Sequence, residues 1–175
     1  MKKNMRSGYM ERDEFEHILA ALTPENRLAC EVSACTGLRI GDVLNLRSEK
    51  LQERMTVREL KTGKTKRVRL PVALLDRLVA ISGKVYVFEG RLDYRKHRTR
   101  QAVYKDLARA AKLFRVKTHI SPHSARKIYA VSEYRRTGSL AAVQKLLNHE
   151  DEAVTILYAM ADQLTERRAR SHPHR

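Results

Sequence analysis

Two segments set an arginine where a chain break meets a helix. Thr36-Gly37-Leu38-Arg39-Ile40 interrupts an apolar stretch just before a short amphipathic one, and backbone N–H groups at a helix start favour anions. Pro122-His123-Ser124-Ala125-Arg126 opens another helix. Residues 123 and 126 are three apart, so the imidazole and the guanidinium project from one face. Ile128, Tyr129, Ala130 and Val131 follow, an odd setting for a purely structural charge. Leu147-Asn148-His149 closes a short helical segment, and Tyr158 comes nine residues later. Lys61 and Lys64 flank Gly63. Guanidinium forks hold phosphate oxygens, imidazole and amine groups move protons, and a phenol can act as a nucleophile. Each residue alone has a blander role. A helix histidine caps or sits satisfied in a core, an arginine pairs with a carboxylate (Asp42 is near Arg39 in sequence), a tyrosine packs, and a turn lysine is solvated.

Other patterns fail on inspection. Gly63-Lys64-Thr65 has the end of a phosphate-binding loop, but that motif needs glycine five residues before the Gly-Lys pair, where Arg58 stands. Cys30 and Cys35 lack zinc-ligand spacing and are too few for a disulfide scaffold. Pro122 separates His119 from His123, and His172 and His174 lie in a polar tail, so no metal site is expected. The 175 residues carry 36 Lys+Arg against 20 Asp+Glu, a net charge of +16. With 42% hydrophobic residues the chain folds, and its charge calls for an anionic partner, nucleic acid before an acidic membrane surface. No apolar run reaches the ~18 residues of a membrane span, and the N-terminus lacks the apolar stretch of a secretory signal. Free thiols suit a reducing, cytoplasmic setting.

These residues need a scaffold, and the periodicity supplies one. Residues 10–22 repeat with helical period, and Thr23-Pro24 reads as a cap and first helical residue for a helix to about Ala34. Ile40, Val43, Leu44 and Leu46 mark a short helix. Residues 55–60 and 66–70 alternate apolar and polar around the Lys61–Lys64 turn, as in a β-hairpin. A helix follows from Pro71 to about Ile81, and residues 85–88 form a short strand, possible third member of the same sheet. Helices are expected over about 98–115, 122–137, 139–148, 151–158 and 160–170, with Gly138 as a C-cap. The fold class is mainly α with one small antiparallel β-sheet (α+β). Residues 91–117 hold ten Lys/Arg against Asp93 and Asp106, with Tyr94 and Tyr104 interleaved. Lys64, Lys66, Arg95, Lys96, Arg98 and Arg100 are therefore expected to meet a phosphate backbone.

The set, in its order, resembles the catalytic domain of the tyrosine recombinases, the phage integrase family. TGLRIGDVLNL at 36–46, ELKTGKTKRVRLP at 59–71, HSAR at 123–126, LLNHE at 146–150 and Tyr158 carry the likeness, which spans about Met10 to Ala161. The resemblance implies a site of Arg39, Lys61, His123, Arg126, His149 and Tyr158, with Asp42 where the family places a supporting glutamate. Lys64 is the alternative to Lys61. Two positions depart from the family pattern: Asn148 replaces a glycine, and Ser124-Ala125 fills the middle of the His-x-x-Arg box.

The implied reaction is attack of the Tyr158 oxygen on a DNA phosphorus, giving a 3′-phosphotyrosyl link and a free 5′-hydroxyl. Arg39 and Arg126 hold the charged phosphate, and His149 donates to a non-bridging oxygen. His123 accepts the phenol proton, needed because tyrosine ionises only near pH 10, and Lys61 protonates the leaving group. No cofactor is implied. The partner is double-stranded DNA and not a membrane, with the protein a monomer in solution that assembles as dimer or tetramer on DNA, open to accessory DNA-bending or directionality proteins. The chain is expected to be one catalytic domain over 1–175, with a flexible 1–9, a C-terminal helix and basic tail over 159–175, and no N-terminal core-binding domain. A type IB topoisomerase-like nicking and closing activity, a DNA-binding regulator on the same fold, and a basic RNA- or membrane-binding protein are the competing readings.

Overall fold

The structure is a computed structural model and describes residues 10–148 and residue 156. In chain order these form α1 (Arg12–Leu19), α2 (Pro24–Thr36), α3 (Ile40–Leu44), β1 (Arg54–Arg58), β2 (Thr65–Arg69), α4 (Val72–Ile81), α5 (Arg100–Leu113), α6 (Pro122–Thr137) and α7 (Leu140–Leu147). The helical assignments of the sequence hold within a residue or two at most ends. The expected helices over 151–158 and 160–170 lie outside the described residues, apart from Ile156. No helix among the described residues is long and apolar enough to cross a membrane.

Helix α2 is the central strut. It packs along α6 and also meets α3, α4 and α5. Leu28, Ala29, Cys30 and Val32 are buried on it, beside Phe15 and Ile18 of α1 and Val103 and Leu107 of α5. Burial pushes the Cys30 thiol up to about 12, helped by Asp106 and Glu31, so it behaves as a small apolar group. Thr23 does not cap α2 with its side chain. Its amide and hydroxyl instead donate to Asp106 of α5, at 2.9 and 3.0 Å, and Asn26 donates at 2.8 Å. Burial of Asp106 favours its neutral form, but the donors from Asn26, Thr23 and Arg109 outweigh it and hold the carboxyl below its usual range.

The sheet has two strands, antiparallel, with Met55 opposite Val68 and Val57 opposite Lys66. Both strands alternate exposed and buried residues, as the period-two pattern requires. The expected third strand over 85–88 does not join them. Tyr86 instead forms an isolated bridge with Arg47, and the Val87 amide donates to the Leu46 carbonyl at 3.0 Å. A short apolar run carries no register of its own, and this one is fixed by burial of Val87 and Phe88 in the core.

Candidate active site

Helix α6 begins with a full capping box. The Ser121 side chain accepts from the His123 amide, and the Ser124 hydroxyl accepts from the Ser121 amide at 3.2 Å. Pro122 occupies the first turn, where its missing N–H costs nothing. Ser124 is therefore the residue that closes the helix start, which gives a local reason for one departure from the family pattern. Ala125, the other, is fully buried. His123 lies exposed in the first turn, and Arg126 one turn on is 1% exposed.

Main-chain oxygens at two helix ends hold the Arg126 guanidinium. Nη1 donates to the carbonyl of Gly37, just past α2, and Nη2 donates to the carbonyl of Leu147, the last residue of α7, at 2.8 Å. Both sit at the negative ends of helix dipoles, which favour a cation. Gly37 has φ +67°, and a Cβ there would stand 2.3 Å from the Tyr129 ring. It is left-handed at the end of α2, close to a ring, and a ligand of Arg126 at once. Gly37→Ala is expected to lower stability by at least about 2 kcal/mol, from left-handed strain and the clash; urea unfolding midpoints check this. Asn148 ends α7 with φ 54° and ψ 25°. This is the left-handed conformation that glycine supplies elsewhere and that asparagine tolerates, so the Asn-for-Gly departure keeps the same backbone turn.

Arg39 stands immediately before α3 and pairs with Glu59, Nη1 to Oε2 at 2.9 Å, with side chains 12% and 0% exposed. The sequence offered Asp42 as its carboxylate. Asp42 is instead directed at the hairpin and accepts the Leu60 amide at 2.8 Å. Burial is the main influence raising the Asp42 carboxyl above its usual range; the Leu60 amide opposes the shift, and nearby Glu59 adds to it. Glu59 went unrecognised among the site residues. Its one signal was its position as the lone acid within the basic run 58–69.

Lys61 and Lys64 are exposed at the hairpin tip, where Gly63 turns with φ +68°. Lys66 is a correction. It falls on the inward register of β2, is 7% exposed, and places Nζ 4.9 Å from the Tyr129 ring centroid, so it does not present a surface charge. Burial raises the Tyr129 phenol to about 12, with Glu133 adding to the shift. Arg98 is engaged within the protein. It donates to Asn26 at 2.6 Å and lies 3.9 Å from Glu25, which makes it a strut against the start of α2. Arg95 and Lys96 are exposed beside Asp93. Arg100 is exposed at the start of α5, and its side chain lies over Gly41 of α3.

The described residues thus bring Arg39, Arg126 and the Lys61 hairpin around the α2–α3 junction. His149 and Tyr158 lie outside the described residues. Ile156, two residues before Tyr158, is buried with Ala130, Val131, Val143 and Leu147 of α6 and α7.

A family model described as the phage integrase family matches residues 8–164. The chain belongs to this family. Among its tyrosine recombinase relatives, it is 32% identical over 161 residues to the recombinase XerC of Pseudomonas aeruginosa, covering 82% of this chain and 50% of that protein. It is 26% identical to the integrase of Escherichia phage P2 over 87% of this chain and 43% of that one. The chain spans about half the length of such curated relatives. The lambda integrase catalytic core superposes with a TM-score of 0.66 at 21% identity, covering 81% of this chain and 91% of that structure. XerH recombinase bound to its difH substrate superposes with a TM-score of 0.71 at 17% identity, over 86% and 49% of the two chains. These likenesses show a tyrosine recombinase catalytic-domain fold.

Proposed function

We propose that this phage integrase family chain carries out site-specific DNA strand cleavage and rejoining through a 3′-phosphotyrosyl intermediate, in integration, excision or resolution of DNA. The observation that carries the reading is the convergence of Arg126 and Arg39. Two guanidinium groups from distant parts of the chain are fixed in a largely buried site by Gly37, Leu147 and Glu59. Prefixed cations of this kind stabilise the charge that develops on a phosphate under attack. Tyr158 is the nucleophile, His123 takes its proton, His149 donates to the phosphate, and Lys61 protonates the leaving oxygen. Lys61 is the better match to the family's hairpin lysine, and Asp42 holds the adjacent Leu60 amide. Double-stranded DNA is the substrate, and the chain assembles on it from a solution monomer. Relatives from bacteria and phage point to a cytoplasmic site of action. Accessory DNA-bending or directionality proteins are compatible with this scheme.

The test is covalent trapping on a pool of nicked duplexes with randomised core sequence, read on a denaturing gel. A protein–DNA adduct is expected; binding with no adduct would favour the regulator reading.

The basic surface makes a separate prediction. The logarithm of DNA affinity should fall linearly with the logarithm of salt concentration, by about 0.9 per phosphate contacted. Lys64→Gln and Arg100→Gln should each reduce that slope by about 1. Arg98→Gln should leave it unchanged, because Arg98 is engaged with Asn26 and Glu25. Fluorescence anisotropy titrations between low and physiological salt measure all three.

A further inference from the structure

We propose that Glu59 is a positioning residue for strand cleavage: its buried carboxylate ties Arg39 to the hairpin turn that carries Lys61, so that the phosphate-holding fork and the proton donor keep one fixed relation. The inference rests on the recombinase reading above. Glu59 is the first residue past β1 and is 1% exposed. Its Oε2 accepts from two directions, Arg39 Nη1 at 2.9 Å and Thr62 Oγ1 at 2.7 Å. The other oxygen, Oε1, has no hydrogen-bond partner among the described residues, so one oxygen joins Arg39 to the turn.

The backbone of Glu59 closes the same turn. Its carbonyl accepts the Gly63 amide and its amide donates to the Lys64 carbonyl, both at 2.9 Å. Asp42, three residues after Arg39, holds the Leu60 amide at 2.8 Å. Residues 59, 60 and 62 are therefore each bonded to the start of α3 or to the carboxylate bound there, while the Lys61 side chain between them stays exposed. A solvated hairpin tip needs no buried carboxylate. A buried charge is costly unless paired, and this one is paired with a residue placed on the reacting phosphate. Displacement of the turn would move Arg39, and loss of the ion pair would free the turn.

Glu59→Gln separates the two bonds. The amide oxygen still accepts from Thr62, but the charge that holds Arg39 is gone. Single-turnover adduct formation at saturating protein is expected to fall at least about tenfold, with DNA affinity changed less than about threefold. Hydrogen exchange at the Gly63 and Lys64 amides should speed up, as in Arg39→Ala, because loss of the ion pair frees the turn. Glu59→Ala removes both bonds and should speed that exchange further, with the β1–β2 ladder amides unaffected. In an Arg39→Ala background, Glu59→Gln should cause no further loss, since coupled residues are non-additive.

Wild-type cleavage by Glu59→Gln, or a full additive loss in the double variant, would overturn the proposal and leave Glu59 a stabilising ion pair. If the wild-type chain forms no adduct, the recombinase reading fails by itself and the exchange measurement still decides the coupling. Arg39→Ala must then speed exchange at Gly63 and Lys64, and unchanged exchange there would refute the link.

Discussion

Arg126→Ala should lose most of its cleavage activity and much of its stability together. The side chain is the largest among the fully buried ones, and its removal leaves the Gly37 and Leu147 carbonyls without the donors that now reach them. Each buried carbonyl left unsatisfied costs about 1–3 kcal/mol, together a large part of the stability of a domain this size. Loss of one prefixed charge on the transition state costs about 10²–10³ in rate. Arg126→Lys separates the two effects. Lysine keeps the charge but cannot span both carbonyls and a phosphate with a planar fork. It should unfold at a denaturant concentration between those of wild type and Arg126→Ala, while cleavage stays down by about 100-fold. Chemical denaturation and single-turnover trapping, run on the same preparations, check both.

Tyr158→Phe should behave in the opposite way. It removes one oxygen and no charge at neutral pH, because the phenol is ordinarily protonated there. The covalent adduct should disappear altogether, while DNA affinity, its salt dependence and the unfolding midpoint stay near wild type. Residual adduct would place the nucleophile elsewhere. An affinity loss of tenfold or more would mean that the phenol is mainly a binding group. The buried Ile156 packs with Ala130 and Val131 of α6 and with Val143 and Leu147 of α7, the helices that carry Arg126 and its Leu147 acceptor.

The elements that place Arg39, Lys61 and Arg126 were legible because each starts or ends at a boundary with its own signature. Pro122 after Ser121 marks the start of α6, and Gly37 and Gly138 mark helix ends with φ near +65°. The alternation in 55–60 and 66–70 set the hairpin and put Lys61 at its tip. The same alternation, followed strictly, would have turned Lys66 inward, since it lies two positions from the buried Val68 on one face. Its charge drew the eye to the surface. The ligands of Arg126 were not readable at all. They are backbone carbonyls, available at every residue, and only the meeting of α2, α6 and α7 selects Gly37 and Leu147. Glu59 was overlooked as the Arg39 partner, with Asp42 the available carboxylate in sequence, for a related reason. Proximity in sequence favoured a carboxylate three residues away, whereas the tertiary fold brings Glu59 across twenty residues. The third strand failed because four apolar residues pair with whatever edge the core offers.

The most direct test of the account is the identity of the residue that becomes linked to DNA. Wild-type protein trapped on the nicked duplex pool is digested with protease and nuclease, and the peptide bearing the phosphonucleotide is sequenced by tandem mass spectrometry. The account predicts a phosphotyrosyl bond at Tyr158, through the 3′ phosphate, with the released strand carrying a 5′-hydroxyl. A link at another residue, or a 5′-phosphate attachment, would contradict it.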